Sequence, residues 1–197
     1  MMRKVNALFC AALAGAAMLL ASVRANAGDT WDSCIIGGDT GIQACTSLIE
    51  SNTLSKEELA SAYTHRGADY LETSQYNSAL EDLNQAIAVK PDFEEAYYYR
   101  GIAYFDTGNN DNAIRDFDRA IALKPSDQNV WSNRGAVYSA MGQYARAIKD
   151  FDRAIKLDPR DAMPYYNRGV AKSKNGDTAG GNADIAKAKE IDPGIGD

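Results

Sequence analysis

Cys34, Cys45, His65 and a recurring set of arginines and aspartates are the side chains in this 197-residue sequence whose chemistry invites a functional reading. A redox-active dithiol keeps its cysteines close and places a cation beside them to hold a thiolate, yet no basic residue lies between Cys34 and Cys45. Two cysteines and His65 offer three zinc ligands at most, at a spacing that does not suggest a zinc site. His65 is the only histidine, and no nucleophile stands at a recognisable distance from it. A Gly-x-Ser-x-Gly elbow, a phosphate loop and a paired-cysteine metal motif are all missing from the sequence. The expectation is a non-enzymatic chain that uses neither metal nor cofactor.

The charged residues are ordered. Arg66, Arg100, Arg134 and Arg168 recur every 34 residues, and Asp82, Asp116, Asp150 and Asp184 follow the same period. Each cation brings its own acid, so the rows are expected to form a ladder of structural ion pairs rather than a binding strip for an anionic ligand.

Residues 1–27 differ from the rest. Arg3 and Lys4 precede an apolar, alanine-rich run from Val5 to about Ala21, and Ala25-Asn26-Ala27 stands before Gly28. This order reads as a secretory signal cleaved after Ala27, the run being short for a retained membrane anchor. Export would be to the periplasm of a Gram-negative source and otherwise to the outside. Cleavage would remove Cys10 and leave Cys34 and Cys45 as an even pair in an oxidising compartment, where a disulfide is expected. It would also remove three cations and no acid, taking the net charge from −6 to −9. A surface of that sign repels nucleic acid and anionic membranes.

The elements that position these residues come from the same period. Pro91, Pro125, Pro159 and Pro193 stand 34 residues apart, and an Arg-Gly pair falls at a fixed place in each segment they close. Each unit holds two short amphipathic helices, with Tyr97, Gly101, Tyr104, Ala113, Phe117, Ala120 and Pro125 marking the second unit. Trp131, Gly135, Tyr138, Ala147, Phe151, Ala154 and Pro159 mark the third, and Tyr63, Gly67, Tyr70, Ala79, Leu83, Ala86 and Pro91 the first. Glycine inside a helix costs about 1 kcal/mol relative to alanine, so Gly67, Gly101 and Gly135 imply close helix–helix approach.

This pattern resembles the tetratricopeptide repeat over residues 60 to 195. The resemblance implies an all-α solenoid of helix-turn-helix repeats, a right-handed superhelix of about four 34-residue repeats plus an N-terminal half-repeat. The units are 60–93, 94–127, 128–161 and 162–195. In the last of these Lys172 replaces the second tyrosine and Gly181 an alanine, as suits a degenerate C-terminal cap. Residues 28–59 form the other cap: Gly41–Ile49 aligns with Ala113–Ile121, which makes it a second helix whose first helix is reduced, with Cys45 at the Phe117 position. A bridge to Cys34 would staple this end at a gain of at most about 3 kcal/mol.

By the same resemblance the first helices line a concave groove. Carried over by position, it would display Thr64, His65, Tyr98, Tyr99, Ile102, Phe105, Asn133, Tyr166 and Asn167. The carboxylate clamp known in the family uses Lys, Asn and Arg; Thr64, Ala68, Tyr99, Asn129 and Asn133 do not reproduce it. The tyrosines are either anchors for a peptide or a half-solvated shelf. The function that follows is a protein-interaction scaffold of the cell envelope that takes a peptide or protein segment in the groove, with no particular partner or oligomeric state implied. The other reading is an accessory subunit of an envelope enzyme that uses the convex face.

Overall fold

The computed structural model describes residues 30–196, so the expected leader lies outside the described residues. The described chain is a succession of helices without a strand. Two belong to the N-terminal region, α1 (residues 30–36) and α2 (Gly38–Glu50). Four hairpins follow: α3 (Lys56–Glu72) with α4 (Tyr76–Val89), α5 (Glu94–Asp106) with α6 (Asn110–Leu123), α7 (Gln128–Ala140) with α8 (Tyr144–Leu157), and α9 (Ala162–Lys174) with α10 (Thr178–Ile191). None of the described helices is long and apolar enough to cross a membrane.

The helix boundaries have local causes. Lys90, Lys124, Asp158 and Asp192 leave the helical region of backbone space because a proline follows each of them. Inside each hairpin one residue takes a left-handed conformation, Gly108, Gly142 and Gly176 in three units and Ser74 in the first. Asp127 and Asp161 cap the next first helix by accepting from the amides of Asn129 and Met163. Helix α3 departs from the period, which places its start at Ala60. Ser55 and Glu58 form a reciprocal capping box, Glu58 N donating to Ser55 Oγ at 3.3 Å and Ser55 N to Glu58 Oε2 at 2.8 Å, and the helix begins a turn early at Lys56.

Packing within each hairpin centres on one glycine. A Cβ on Gly101 would lie 2.7 Å from Phe117 Cε1, and one on Gly135 would lie 2.8 Å from Phe151 Cε1. Both phenylalanine rings are fully buried, so the bare helix face is the socket that receives them. The last hairpin uses the same device in another form. Ile185 stands where the phenylalanines stand, 2.8 Å from a Cβ placed on Gly169, and Gly181 faces Gly169 beside it, a Cβ on the former falling 2.6 Å from the latter's carbonyl oxygen. Gly181 therefore marks a close approach of the α9 and α10 backbones.

The backbones of successive first helices come close to one another (α3 with α5, α5 with α7, α7 with α9), whereas no two second helices bring their backbones as close among the described residues. A stack held together along its first helices and splayed along its second helices curves, with the first helices on the inside. At the N-terminal end α2 packs on α3 as a second helix would. Cys34 and Cys45 are joined by a disulfide, with Cα atoms 4.9 Å apart, which ties α1 to α2 beneath Trp31 and Leu54.

Candidate peptide-binding groove

The inner face is built around α5. Tyr98 and Tyr99 meet edge to face with ring centres 5.1 Å apart, and Tyr98 leans on Phe117 at 6.2 Å. Asn133 on α7 donates through Nδ2 to the Tyr98 hydroxyl oxygen at 3.0 Å and so joins two units across the groove. Ile102 and Phe105 are half-buried and pack with Tyr98 on the core cluster that contains Ala113 and Phe117.

The electrostatics are lopsided. Burial pushes the Tyr98 phenol up to about 12, helped by Tyr99 and Asp127. Burial raises Tyr99 as well, reinforced by the negative charges of Glu95 and Glu72. Both phenols are therefore neutral hydrogen-bonding groups. Lys124 lies between Glu94 and Asp127, 3.6 and 3.5 Å away, while Glu72 and Glu95 keep this end of the groove acidic. At the other end a cleft of about 300 Å³ opens between α7, α8 and α9. Its lining joins the apolar Ala136, Ala140, Phe151 and Val170 to the polar Ser139, Tyr144, Asn167 and Lys174. The cleft exists because Ala136 and Ser139 occupy the places that Ile102 and Phe105 fill one unit earlier.

The remaining groove positions behave differently from one another. His65 is half-buried beside Asp69. Thr64 corrects the sequence expectation: it is buried and not displayed, its hydroxyl donating to the Ala60 carbonyl at 2.8 Å, because a short β-branched side chain satisfies itself on its own helix. Tyr166, at the same repeat position as Thr64 and Tyr98, is covered by the chain's C-terminal turn. Ile195 packs with it, and a Cβ on Gly196 would fall 2.6 Å from its ring.

Away from the groove the arginines form a continuous ladder. Arg66, Arg100, Arg134 and Arg168 each donate through Nε and Nη2 to both oxygens of Asp82, Asp116, Asp150 and Asp184, at 2.7 to 2.8 Å. The third nitrogen reaches back to the preceding second helix. Arg100 Nη1 meets Asn84, Arg134 Nη1 meets Asp118, Arg168 Nη1 meets Asp152, and Arg66 Nη1 meets Thr46 of α2 at 2.8 Å. Each guanidinium also lies over the aromatic ring three residues earlier, Tyr63, Tyr97, Trp131 or Tyr165, at 4.9 to 5.7 Å.

Two further residues matter: Lys172, whose exchange is plain in the sequence but whose pairing is not, and Asp69, which the sequence reading passed over. Lys172 stands where a tyrosine stands in the other units, and it pairs with Asp184 at 2.9 Å. Asp69 is almost wholly buried at a position held by Ala103, Val137 and Ala171 in the other units. Its Oδ1 accepts from Gly38 N at 3.2 Å, and its Oδ2 has no hydrogen-bond partner. A Cβ on Gly37 or Gly41 would come within 2.7 Å of this carboxyl group, which explains the glycines of the α1–α2 corner. The signal was the break in an otherwise apolar column of the repeat.

Three family profiles match the chain. One described as tetratricopeptide repeat matches residues 129–161, one described as TPR repeat matches 67–108 and 101–142, and another tetratricopeptide repeat profile matches 151–180. Together they run over more than half of the sequence. No curated protein matches it. Among solved structures, a crystal structure of MamA is 26% identical with a TM-score of 0.68, covering 79% of this chain and 88% of that one. A second MamA crystal structure is 24% identical with a TM-score of 0.67, covering 87% of each chain. A MamA structure from Desulfovibrio magneticus RS-1 is 16% identical with a TM-score of 0.67, covering 79% of this chain and 86% of that one.

Proposed function

Because this chain belongs to the tetratricopeptide repeat family, we propose that it is a non-catalytic scaffold of the cell envelope that holds a peptide or protein segment in its concave groove. The observation that carries the reading is the Tyr98–Tyr99–Asn133 cluster on the inner face, with an open cleft two helices further on. Tyrosine buries a large area at little entropic cost and keeps a hydroxyl for a backbone group of the guest. The acids near Tyr99 and the ammonium of Lys174 favour a segment that is basic toward α3 and carries an apolar side chain and a carboxylate toward α9.

Export is part of the same proposal. It is supported by the leader-like residues 1–27 and by the buried Cys34–Cys45 bridge, a bond that persists in oxidising compartments.

The test is a capture of partners from the envelope fraction on immobilised protein, run beside a Tyr99→Ala/Asn167→Ala variant of unchanged helicity. A partner kept by the parent and lost by the variant places recognition in the groove. Equal recovery by both sinks the groove reading.

A further inference from the structure

We propose that a cleft on the opposite side of the first unit is a receptor slot for one arginine side chain of a partner protein. The cleft encloses about 380 Å³ between α3 and α4 and is lined by Tyr63, Arg66, Tyr70, Ser78, Glu81, Asp82 and Gln85. At 100° per residue, Tyr63, Arg66 and Tyr70 share the face of α3 that points away from His65 and the groove. The slot is therefore separate from the groove, and its occupancy does not depend on the groove binding anything.

The argument comes from the other units of the same chain. In the second unit the Tyr97 ring carries two guanidinium groups, Arg100 at 5.6 Å and Arg119 at 5.8 Å. In the third, Trp131 carries Arg134 at 4.9 Å and Arg153 at 5.8 Å, and Tyr138 carries Arg146 at 4.9 Å. The first unit keeps the rings and the ladder arginine, with Arg66 over Tyr63 at 5.7 Å, but the residues that would supply the second cation are exchanged. Gln85 stands where Arg119 and Arg153 stand, and Ser78 where Arg146 stands. Glu81 replaces Arg115 and Lys149, so the rim becomes acidic where its counterparts are basic.

Tyr63 thus offers an aromatic face that both the second and third units cover with a second arginine, and Tyr70 one that the third unit covers with Arg146, Asn112 standing at that place in the second. Both Asp82 oxygens are committed to Arg66, which leaves the Glu81 carboxylate as the free anion at the mouth. A planar guanidinium matches this combination of ring and carboxylate better than an ammonium does, since it is more weakly hydrated and stacks. The fitting partner is a protein surface or loop that presents an unpaired arginine.

The experiment is a nuclear magnetic resonance titration of the purified chain with acetyl-Gly-Arg-Gly-amide, read at the ring and amide signals of Tyr63 and Tyr70. Saturable shifts there are expected, about tenfold weaker with the lysine counterpart of the peptide. Gln85→Arg should fill the slot from within, as in the inner units, and abolish the response; Glu81→Arg should do so by charge. Both sites are exposed, and retained helicity would show that the fold is intact. Unsaturable shifts, equal binding of the lysine peptide, or a Gln85→Arg protein that responds like the parent would each overturn the proposal.

Discussion

The Phe117 ring occupies the space that any side chain at Gly101 would need, with the two residues on facing helices of one hairpin and the ring fully buried. The contact fixes how closely α5 and α6 approach. Gly101→Ala should therefore destabilise the chain by about 2 kcal/mol, overpacking outweighing the better helix propensity of alanine. A lowered urea midpoint would show it. An unchanged or raised midpoint would mean that Phe117 can move aside at no cost.

The two acids on Arg134 should differ sharply in weight. Burial works against its charge, but the bonds to Asp150 and then Asp118 outweigh that and hold the guanidinium above its ordinary range. The Asp150 side chain is 7% exposed and the Asp118 side chain 53%. Asp150→Ala should cost about 3 kcal/mol because it strands a half-buried cation, and Asp118→Ala under about 1 kcal/mol. Equal costs in denaturant unfolding would contradict this division.

Asp69 gives the N-terminal end a pH dependence of unusual sign. Burial raises its carboxyl above the ordinary value, against the opposing bond from Gly38 N. The folded state thus holds this proton more tightly than the unfolded state does. The contribution of this group to stability is full below the ordinary carboxylate range and is lost as pH rises through the raised value. Asp69→Asn should remove that loss, so the stability difference between variant and parent should grow with pH through that window. A difference independent of pH would refute it.

Ser74 adopts φ of 57°, where the corresponding Gly108, Gly142 and Gly176 have φ between 73° and 98°. A left-handed residue with a Cβ is strained, so Ser74→Gly should stabilise the first hairpin by about 1 kcal/mol. Hydrogen exchange of α3 and α4 amides would slow accordingly, and faster exchange would count against it.

Much of the fold was legible because the chain repeats itself. The prolines gave the boundaries, and the glycines gave the close approach. What escaped were contacts made between neighbours rather than within a unit. The backward reach of Arg100 to Asn84 or of Arg168 to Asp152 cannot be read from either unit alone. Thr64 and Tyr98 share one repeat position, yet one is buried on its own helix and the other supports the groove, because the side chain decides and not the period. The first-unit cleft is visible in sequence only as three exchanges, and their meaning depends on the rings beneath them.

The backward rung also divides the junctions of the array into three kinds, of which the one between the first and second units uses Asn84. Between the second and third units and between the third and fourth, the rung is the same, an aspartate two residues after the ladder aspartate. A duplicate of residues 128–161 inserted after 161 would meet familiar neighbours on both sides, and the solenoid could grow by whole units without redesign. The junction at Thr46 is different, since Ala44 stands where the ladder aspartate would be and the glycine corner admits Asp69. That seam accepts one partner, so the array can be lengthened from its middle while its beginning stays fixed.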